Sequence, residues 1–328
     1  MKGAAALRFI LAILVVMASR DALADRQPHL LAIAACPPWV SFGDEESDRL
    51  ARQSCGHALD SIARAATRHL DVAPERITRL LDQAATRAGV EAAFAGLRAV
   101  LGPDDRLYVY LNLHGGPSAG DYKGYPIVDE TLALWTAEVP AAPYTEHGFM
   151  FVKTMRDLIL AVPAGEIVII VDSCHSGLGF DDFRFVPRSL EAAGRRVAVI
   201  FSSREGQVAH FTPDLREALF TRMLSSALEV SPTERLARAV DLAAHATRDS
   251  VRALCAAPAV GTEPPAAGLD FLTYCTQDPV VFDPHGLLDD IVVAPALRDD
   301  ASAAPAAGGT VPGRLIRRHD AGPASVPR

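Results

Sequence analysis

The sequence predicts an α/β fold in which a mostly parallel sheet carries helices on both faces. One observation is Ile167–Val171, an uninterrupted run of β-branched residues that is typical of a central strand covered on both sides. A second is Leu107–Leu113, another apolar run of strand length. Between and around these runs lie segments of helical periodicity, and this alternation favours a sheet of parallel strands.

The other elements follow in chain order. Further strands are predicted over His29–Ala35, Arg76–Leu81, Val197–Phe201 and Val280–Phe282. Helices are predicted over Gly56–Leu70, Arg87–Leu101 with Thr86 as N-cap, His147–Val162, Asp214–Val230 and Thr233–Ala256. Proline and glycine predict irregular loops over Pro117–Glu146 and Leu178–Gly194.

The N-terminal segment 1–24 has the pattern of a secretory signal peptide. Lys2 and Arg8 precede or flank a short apolar core, Phe9–Ala18, and an A-x-A site follows at Ala22-Leu23-Ala24. An uncleaved membrane anchor is the alternative, although this core is short for a membrane span. We therefore expect an exported protein, periplasmic or secreted, with no stable membrane span after cleavage.

The rest of the 328-residue chain divides into residues 25–290, predicted as one large domain, and a tail, 291–328. The tail is rich in Ala, Pro and Gly, a composition that buries too little apolar surface to fold. The net charge is -8, and the basic residues are scattered rather than clustered. This pattern argues against a nucleic-acid partner.

The five cysteines are an odd number for an exported chain. If Cys174 stays free, the other four allow three pairings, of which Cys36–Cys55 and Cys255–Cys275 join residues close in sequence. The alternative is that some of the four are buried thiols.

Polar residues with catalytic potential follow two of the predicted strands. The run Ile167–Val171 stops at Asp172-Ser173-Cys174-His175-Ser176-Gly177, and Leu107–Leu113 stops at His114-Gly115-Gly116. In α/β sheets, chemistry is usually done just beyond the carboxyl ends of the strands. If the two strands are neighbours, an imidazole and a thiol meet there, and the histidine can take the proton of the cysteine.

This pair of motifs resembles the catalytic pair of the caspase-like cysteine peptidases. The D-x-C-H-S-G form is similar to the metacaspase and bacterial metacaspase-like branch, and the likeness extends weakly from about His29 to Pro279. It implies a cysteine endopeptidase that acts on protein or peptide substrates, with a catalytic dyad of His114 and Cys174. The implied oxyanion donors are the backbone N–H groups of Gly115 and Cys174.

The same resemblance implies a preference for Arg or Lys before the cut, because metacaspases have an aspartate where this chain has Asp172. A second acid usually comes from the helix after the first strand, where Asp60 is the candidate. The family tends to have serine two residues before the histidine, whereas this chain has Asn112 in that part of the pocket. The chemistry itself needs no cofactor.

Many metacaspases need calcium as an activator, and it is held by carboxylates outside the dyad. Oxygen ligands of the kind that calcium prefers occur in the two loops that follow the catalytic motifs, at Asp129, Glu130, Glu146, Asp181 and Asp182. The second of these loops and its end also carry Arg184, Arg188, Arg195 and Arg196, candidates for self-cleavage by an enzyme that prefers basic residues.

Two other functions compete with the peptidase. One is a catalytically silent caspase-fold module that binds a partner. The other is an α/β hydrolase of esters, suggested by His114-Gly115-Gly116 and Ser176. That second alternative is weak, because a nucleophile elbow needs G-x-S-x-G, and positions 174 and 178 are Cys and Leu.

Overall fold

The computed structural model describes residues 27–38, 44–122, 125–137, 148–179, 183, 194–256 and 275–295, with the backbone alone for 116–122, 125–130 and 178. The strands are β1 (Pro28–Ala34), β2 (Ile77–Leu81), β3 (Arg106–Asn112), β4 (His114–Tyr122), β5 (Tyr125–Ala133), β6 (Phe149–Phe151), β7 (Glu166–Asp172), β8 (Arg196–Phe201) and β9 (Val280–Phe282). The helices are α1 (Glu45–His69), α2 (Arg87–Val100), α3 (Val152–Leu160), α4 (Leu219–Val230), α5 (Leu236–Ala256) and α6 (Leu287–Asp290).

The main sheet of the described chain has six strands in the order β2-β1-β3-β7-β8-β9. The first five run parallel, and β9 pairs antiparallel with β8. The two strands that carry the site motifs, β3 and β7, are therefore neighbours. Their register places Asn112 beside Asp172 at the carboxyl ends. The predicted mostly parallel sheet is confirmed.

Both faces of this sheet are buried. On one face, side chains such as Leu30, Tyr110 and Ile170 pack with residues of α1, α4 and α5. On the other face, their sequence neighbours, such as Leu31 and Ile169, pack with α2 and α3. Successive side chains of a strand point to opposite faces, so strands covered on both sides need continuous apolar runs. This explains why the strands were recognisable in the sequence, and it confirms the predicted helices on both faces.

Helix α1 begins at Glu45, eleven residues before the predicted start at Gly56. The Asp44 side chain caps it by accepting the backbone N–H of Ser47 at 2.8 Å. The first turns bury only small side chains, among them Ala51, so they lack the large apolar residues that reveal helical periodicity. The capping aspartate followed by two glutamates was the signal that could have placed this start.

The predicted irregular loop Pro117–Glu146 is wrong over its first half. In its place β4 and β5 form an antiparallel hairpin, from His114 paired with Ala133 to Tyr122 paired with Tyr125. Glycine and proline suggested a loop, but the sequence Tyr-Lys-Gly-Tyr at 122–125, in which two residues separate the aromatic ones, was a hairpin signal. Residues 138–147 lie outside the described chain.

The predicted helix His147–Val162 is shorter than expected, because its first part is strand β6. Phe149–Phe151 adds to β5 as the third strand of the small sheet. Aromatic residues favour strands, and here the pairing overrides the helical pattern. The remaining helix, α3, packs on the same face of the main sheet as α2, against side chains of β7 such as Ile169.

At the C-terminal end of the described chain, Ile291 and Val293 are buried and pack with α6 in the core. The packed chain thus continues past residue 290, the predicted domain end. Residues 296–328, most of the predicted tail, lie outside the described chain, as do the predicted signal peptide at 1–24 and most of the loop Leu178–Gly194. Among the helices that the structure describes, none is long and apolar enough to cross a membrane.

Two disulfides join the predicted pairs, Cys36–Cys55 and Cys255–Cys275, and the buried Cys174 takes part in neither. The first ties the end of β1 to α1. The second ties the end of α5 to the segment that precedes β9. Each closes a loop of about 20 residues.

At the amino ends of β3, β7 and β8, three charged residues lie side by side in register: Arg106, Glu166 and Arg196. Glu166 accepts from Arg106 at 2.6 Å and from Arg196 at 2.5 Å. Arg196 also hydrogen-bonds Asp290 and holds the pKa of that carboxyl below its ordinary value. Because one carboxylate joins three strands at the end opposite the candidate site, its role is structural.

We expect Glu166→Gln to lower the free energy of unfolding by about 3–5 kcal/mol, because it takes the carboxylate from the partly buried guanidinium of Arg106 and leaves Arg196 with Asp290 alone. The Glu166 side chain is only 6% exposed. The matched control is Asp60→Asn, which breaks an exposed pair with Arg79 and should cost no more than about 1 kcal/mol. Urea unfolding measures both, and equal losses would contradict this structural role.

Candidate active site

The two sequence motifs meet where β3 and β7 end. Asn112 and Asp172 are paired neighbours in the register, and the chain continues from them to Gly115 and Cys174. A Cβ atom built on Gly115 would lie 2.4 Å from the carbonyl oxygen of Cys174 and 2.9 Å from Oγ of Ser173. The backbone that follows His114 therefore lies directly against the backbone of the candidate nucleophile.

This close approach explains why residue 115 is a glycine. Real Cβ atoms essentially never come within 3.0 Å of a backbone oxygen, so any larger residue must push the two strand ends apart. We expect Gly115→Ala to lower the free energy of unfolding by about 1–3 kcal/mol, as overpacking does. Its effect on the reactivity of the His114–Cys174 pair should be larger than this loss of stability accounts for. The matched control is Gly96→Ala on α2, where an added Cβ meets nothing within 4 Å. A Gly115→Ala protein with unchanged thiol chemistry would contradict the close contact.

The turn that carries Cys174 is fixed to the loop after β8. Ser176 and Ser203 exchange hydrogen bonds through their hydroxyl and backbone groups at 3.1–3.3 Å. The carbonyl of Ser173 accepts from the Ser203 hydroxyl at 3.1 Å. Gly177 lies so close to the backbone of Arg204 that a Cβ there would come within 2.8 Å. The nucleophile turn and this loop therefore form one packed unit.

The thiol of Cys174 lies against the same loop, farther along. Its Sγ accepts the backbone N–H of Ala209 at 3.4 Å, and the carbonyl oxygen of Ala209 is 3.9 Å from it. Val208 and Ala209 form an apolar cluster with Cys174. The Ala209 N–H and these apolar contacts hold Sγ at one position against the loop.

The candidate dyad is covered in this conformation. Cys174 is 1% exposed and His114 is 5% exposed. His114 is the first residue of β4, so its backbone is held by the hairpin through the pairing with Ala133. The segments that carry His114 and Cys174 lie together, and little of either residue is exposed to solvent.

Asp172 is fully buried, and its carboxylate is hydrogen-bonded to the first turn of α4. Oδ2 accepts the backbone N–H of Thr221 at 3.2 Å and its hydroxyl at 2.6 Å. The Thr221 hydroxyl also contacts the hydroxyl of Tyr110 at 2.5 Å. The Tyr110 hydroxyl in turn accepts a hydrogen bond from the Asn112 amide at 3.0 Å. The negative carboxylate near the N-terminus of α4 is stabilised by the helix dipole. Asp172 and Asn112 thus belong to one buried polar network.

Asp60 is not part of that network. It lies in the middle of α1, is 45% exposed, and pairs with Arg79 on the edge strand β2. In the sheet order β2 is three strands from β7, which is about 14 Å at 4.8 Å per strand. The structure does not bring Asp60 to the other predicted site residues. A helix position alone could not reveal which part of α1 faces the sheet's carboxyl edge.

The structure describes some of the remaining predicted site residues and leaves others outside the described chain. His175 has a left-handed backbone (φ 55°) and donates its N–H to the carbonyl of Gln207 at 2.8 Å. Ser176 is buried and hydrogen-bonded to Ser203, which gives no support to its being the nucleophile of an ester hydrolase.

Of the calcium candidates, Asp129 and Glu130 have only their backbone described, and Glu146, Asp181 and Asp182 lie outside the described chain. Among the residues that are described, no group of three His, Cys, Asp or Glu side chains could hold a metal ion.

Sequence reasoning missed the loop after β8. This loop supplies Ser203, Gln207 and Ala209, which contact the nucleophile turn. The signal was present, because Val197–Phe201 was predicted as a strand and Ser202-Ser203 follows its carboxyl end. It was missed because serines and a glutamine have no chemistry of their own that stands out in a sequence.

Comparisons with known proteins bear on the fold. No family model and no curated protein matches the chain. Among solved structures, it is similar to a structural-genomics protein of Geobacter sulfurreducens, with a TM-score of 0.50 and 18% identity over 82% of this chain and 99% of that one. It is also similar to caspase-1 of Spodoptera frugiperda, with a TM-score of 0.47 and 11% identity over 84% of this chain and 92% of that one. The first likeness shows the fold alone, and nothing is argued from the second.

Proposed function

We propose that this protein is a cysteine endopeptidase of the caspase-like, metacaspase-type class with His114 and Cys174 as its dyad. The observation that carries the proposal is the contact between Gly115 and the Cys174 carbonyl, which joins the two motifs at adjacent strand ends. An imidazole and a thiol within reach of each other are the minimum needed for nucleophilic catalysis on a peptide carbonyl.

In the proposed reaction, His114 takes the proton from the Cys174 thiol, and the thiolate attacks the carbonyl carbon of the scissile bond. The backbone N–H groups of Gly115 and Cys174 hold the resulting oxyanion, and donors of this kind are worth about 10²–10³ in rate each. His114 then protonates the leaving amine as the C–N bond breaks. Water hydrolyses the thioester, releasing the acid and restoring the thiol.

The proposed specificity is for Arg or Lys before the cut. Its support is Asp172, a buried carboxylate two residues before the nucleophile. A guanidinium can pair with a carboxylate through two charge-assisted hydrogen bonds. The bonds from Thr221 fix the orientation of this carboxylate, as a rigid recognition group requires.

A catalytically silent binding module is the second candidate, and the burial of the dyad favours it. With Cys174 1% exposed and packed against Val208 and Ala209, a substrate carbonyl has no direct path to Sγ in this conformation. A peptidase must therefore expose Sγ before it can act, whereas a silent module has no need to.

Labelling with an arginyl chloromethylketone separates these functions. Purified protein is incubated with the reagent, with and without calcium, and the modified residue is located by mass spectrometry. The peptidase predicts a covalent adduct on Cys174 that a lysyl analogue reproduces and an aspartyl analogue does not. No adduct on Cys174, with iodoacetamide still able to modify it in unfolded protein, would favour the silent module. Adduct formation only with calcium would assign calcium the activator role.

We also propose that the protein is exported, to the periplasm or outside the cell. The support is the pair of disulfides, since such bonds persist in oxidising compartments. The proposed partner is a protein or peptide substrate with a basic residue.

A further inference from the structure

The described segment Cys275–Asp278, which we name the strap, lies against the loop that holds the nucleophile. It begins at the disulfide to Cys255 on α5 and ends just before β9. Cys255 and Cys275 pack against the apolar cluster of Cys174, Val208 and Ala209. No element of the proposed mechanism uses this segment, yet it lies one layer behind the thiol.

Gln277 is the central contact of the strap. It is 1% exposed, and both ends of its amide are used. Its Nε2 donates to the carbonyl of Ser202 at 3.0 Å, and its Oε1 accepts the backbone N–H of His210 at 3.0 Å. One side chain therefore fixes both ends of the loop 202–210, which contributes the N–H of Ala209 to Sγ of Cys174.

A second glutamine makes the reciprocal contact from the loop to the strap. Gln207 donates through Nε2 to Thr276 and Asp278, both at 2.9 Å, and its Oε1 accepts the N–H of Asp278 at 2.8 Å. The backbone carbonyl of Gln207 in turn accepts the N–H of His175. The strap, the loop and the nucleophile turn are thus joined in series by hydrogen bonds, of which those of Gln277 are buried.

We propose that the strap sets the position of the Cys174 thiol, with Gln277 as the positioning residue and the Cys255–Cys275 disulfide as its anchor. The effect on peptide hydrolysis rests on the proposed function, but the effect on the thiol does not. When the disulfide is broken, Cys275 loses its covalent tie to α5, and the ion pair of Arg248 with Asp278 at 3.0 Å is the link to α5 that the strap keeps. The reactivity of the thiol is therefore linked to the redox state of a bond that takes no part in the chemistry.

The first test is Gln277→Ala. We expect kcat/KM for arginyl peptides to fall about tenfold, mostly in kcat, since two buried hydrogen bonds are lost behind the thiol rather than in the substrate pocket. The pH profile of Cys174 alkylation by iodoacetamide should shift to higher pH, because the Ala209 N–H no longer holds the thiolate in place. The charged and titratable side chains on the segments that meet Cys174, all unchanged in this variant, are His114, Asp172, His175, Arg204, Glu205, His210 and, on the strap, Asp278.

The second test compares the two disulfides, which close loops of nearly equal length, with separations of 20 and 19 residues. Cys255→Ser/Cys275→Ser should reproduce the shifted alkylation profile and the fall in kcat/KM. Cys36→Ser/Cys55→Ser should lower Tm by a similar amount and leave the profile of Cys174 where it was. The intact full chain is used in each case, and melting curves confirm that each variant folds.

The outcomes separate the two proposals. If the wild type hydrolyses no peptide but Gln277→Ala still shifts the alkylation profile, the positioning role stands and the peptidase fails. An unshifted profile in a folded Gln277→Ala protein overturns the positioning role, whatever the peptidase activity. A rise in both alkylation and hydrolysis would also overturn it, since the strap would then be closing the site. Equal effects of the two disulfide pairs would reduce the anchor to a general stabiliser.

Discussion

Replacement of Cys174 by alanine is expected to abolish peptide hydrolysis and leave the fold intact. Removal of the nucleophile from such a pair lowers the rate by on the order of 10⁴ or more. The side chain is small, and its hydrogen-bonded contact with Ala209 is a weak one to sulfur, so little stability is lost. His114→Ala should have the same effect on rate. Hydrolysis of a peptide library measures the loss, and circular dichroism verifies the fold.

The neighbouring histidine provides the control. His175 lies next to the nucleophile but has a left-handed backbone, a conformation that asparagine tolerates. His175→Asn should therefore fold and keep most of the hydrolysis. If it were as inactive as His114→Ala, the base would be misassigned. Normal turnover by a folded Cys174→Ala protein would exclude the dyad altogether.

The second large effect is expected from Asp172→Asn, which keeps the shape of the side chain and removes its charge. Loss of one partner from a buried charge pair costs roughly 3–5 kcal/mol, which corresponds to about 10²–10³ in kcat/KM for arginyl peptides. Alkylation of Cys174 by a small neutral reagent should change far less, because that reaction does not use the pocket. Steady-state kinetics with arginyl, lysyl and aspartyl peptides give the comparison.

Thr221→Val is the matched control for this experiment. It removes the hydroxyl that donates to Asp172 at 2.6 Å and contacts Tyr110, but it keeps the carboxylate. The expected result is a loss of stability of about 1–3 kcal/mol with the preference for arginine retained, because the backbone N–H of residue 221 still orients the carboxylate. Efficient cleavage after aspartate would show that the pocket is built from other residues. So would an Asp172→Asn variant with an undiminished arginine preference.

The sequence revealed the parts of the fold in which local pattern and burial agree. Strands β3 and β7 are apolar between their first and last residues because both faces of the sheet are covered, so their limits were predicted to within a residue. The sequence alone shows that polar residues follow the carboxyl ends of both strands. These residues form one site only if β3 and β7 are neighbours, and that long-range pairing is known only from the structure.

The parts that sequence did not reveal depend on tertiary contacts. Strand β6 is held as a strand by its pairing with β5, although its residues also suit a helix. Asp60 lay on the predicted helix, yet which turn of α1 reaches the site depends on how that helix crosses the sheet. Gln277 is distant from Cys174 along the chain, and an amide has no distinctive pattern. Such contacts leave no local periodicity to recognise.

The parallel pairing of β7 with β8 determines what a break in the chain between them would do. The two strands are hydrogen-bonded from Glu166 with Arg196 to Val171 with Phe201. Arg195 donates to the carbonyls of Leu160, Val162 and Ala164, so the start of the second piece is attached to the first at both backbone and side chain. A cut at Arg184 or Arg188 would thus divide the polypeptide without dividing the sheet. The two fragments would elute as one particle in native buffer and separate in denaturant.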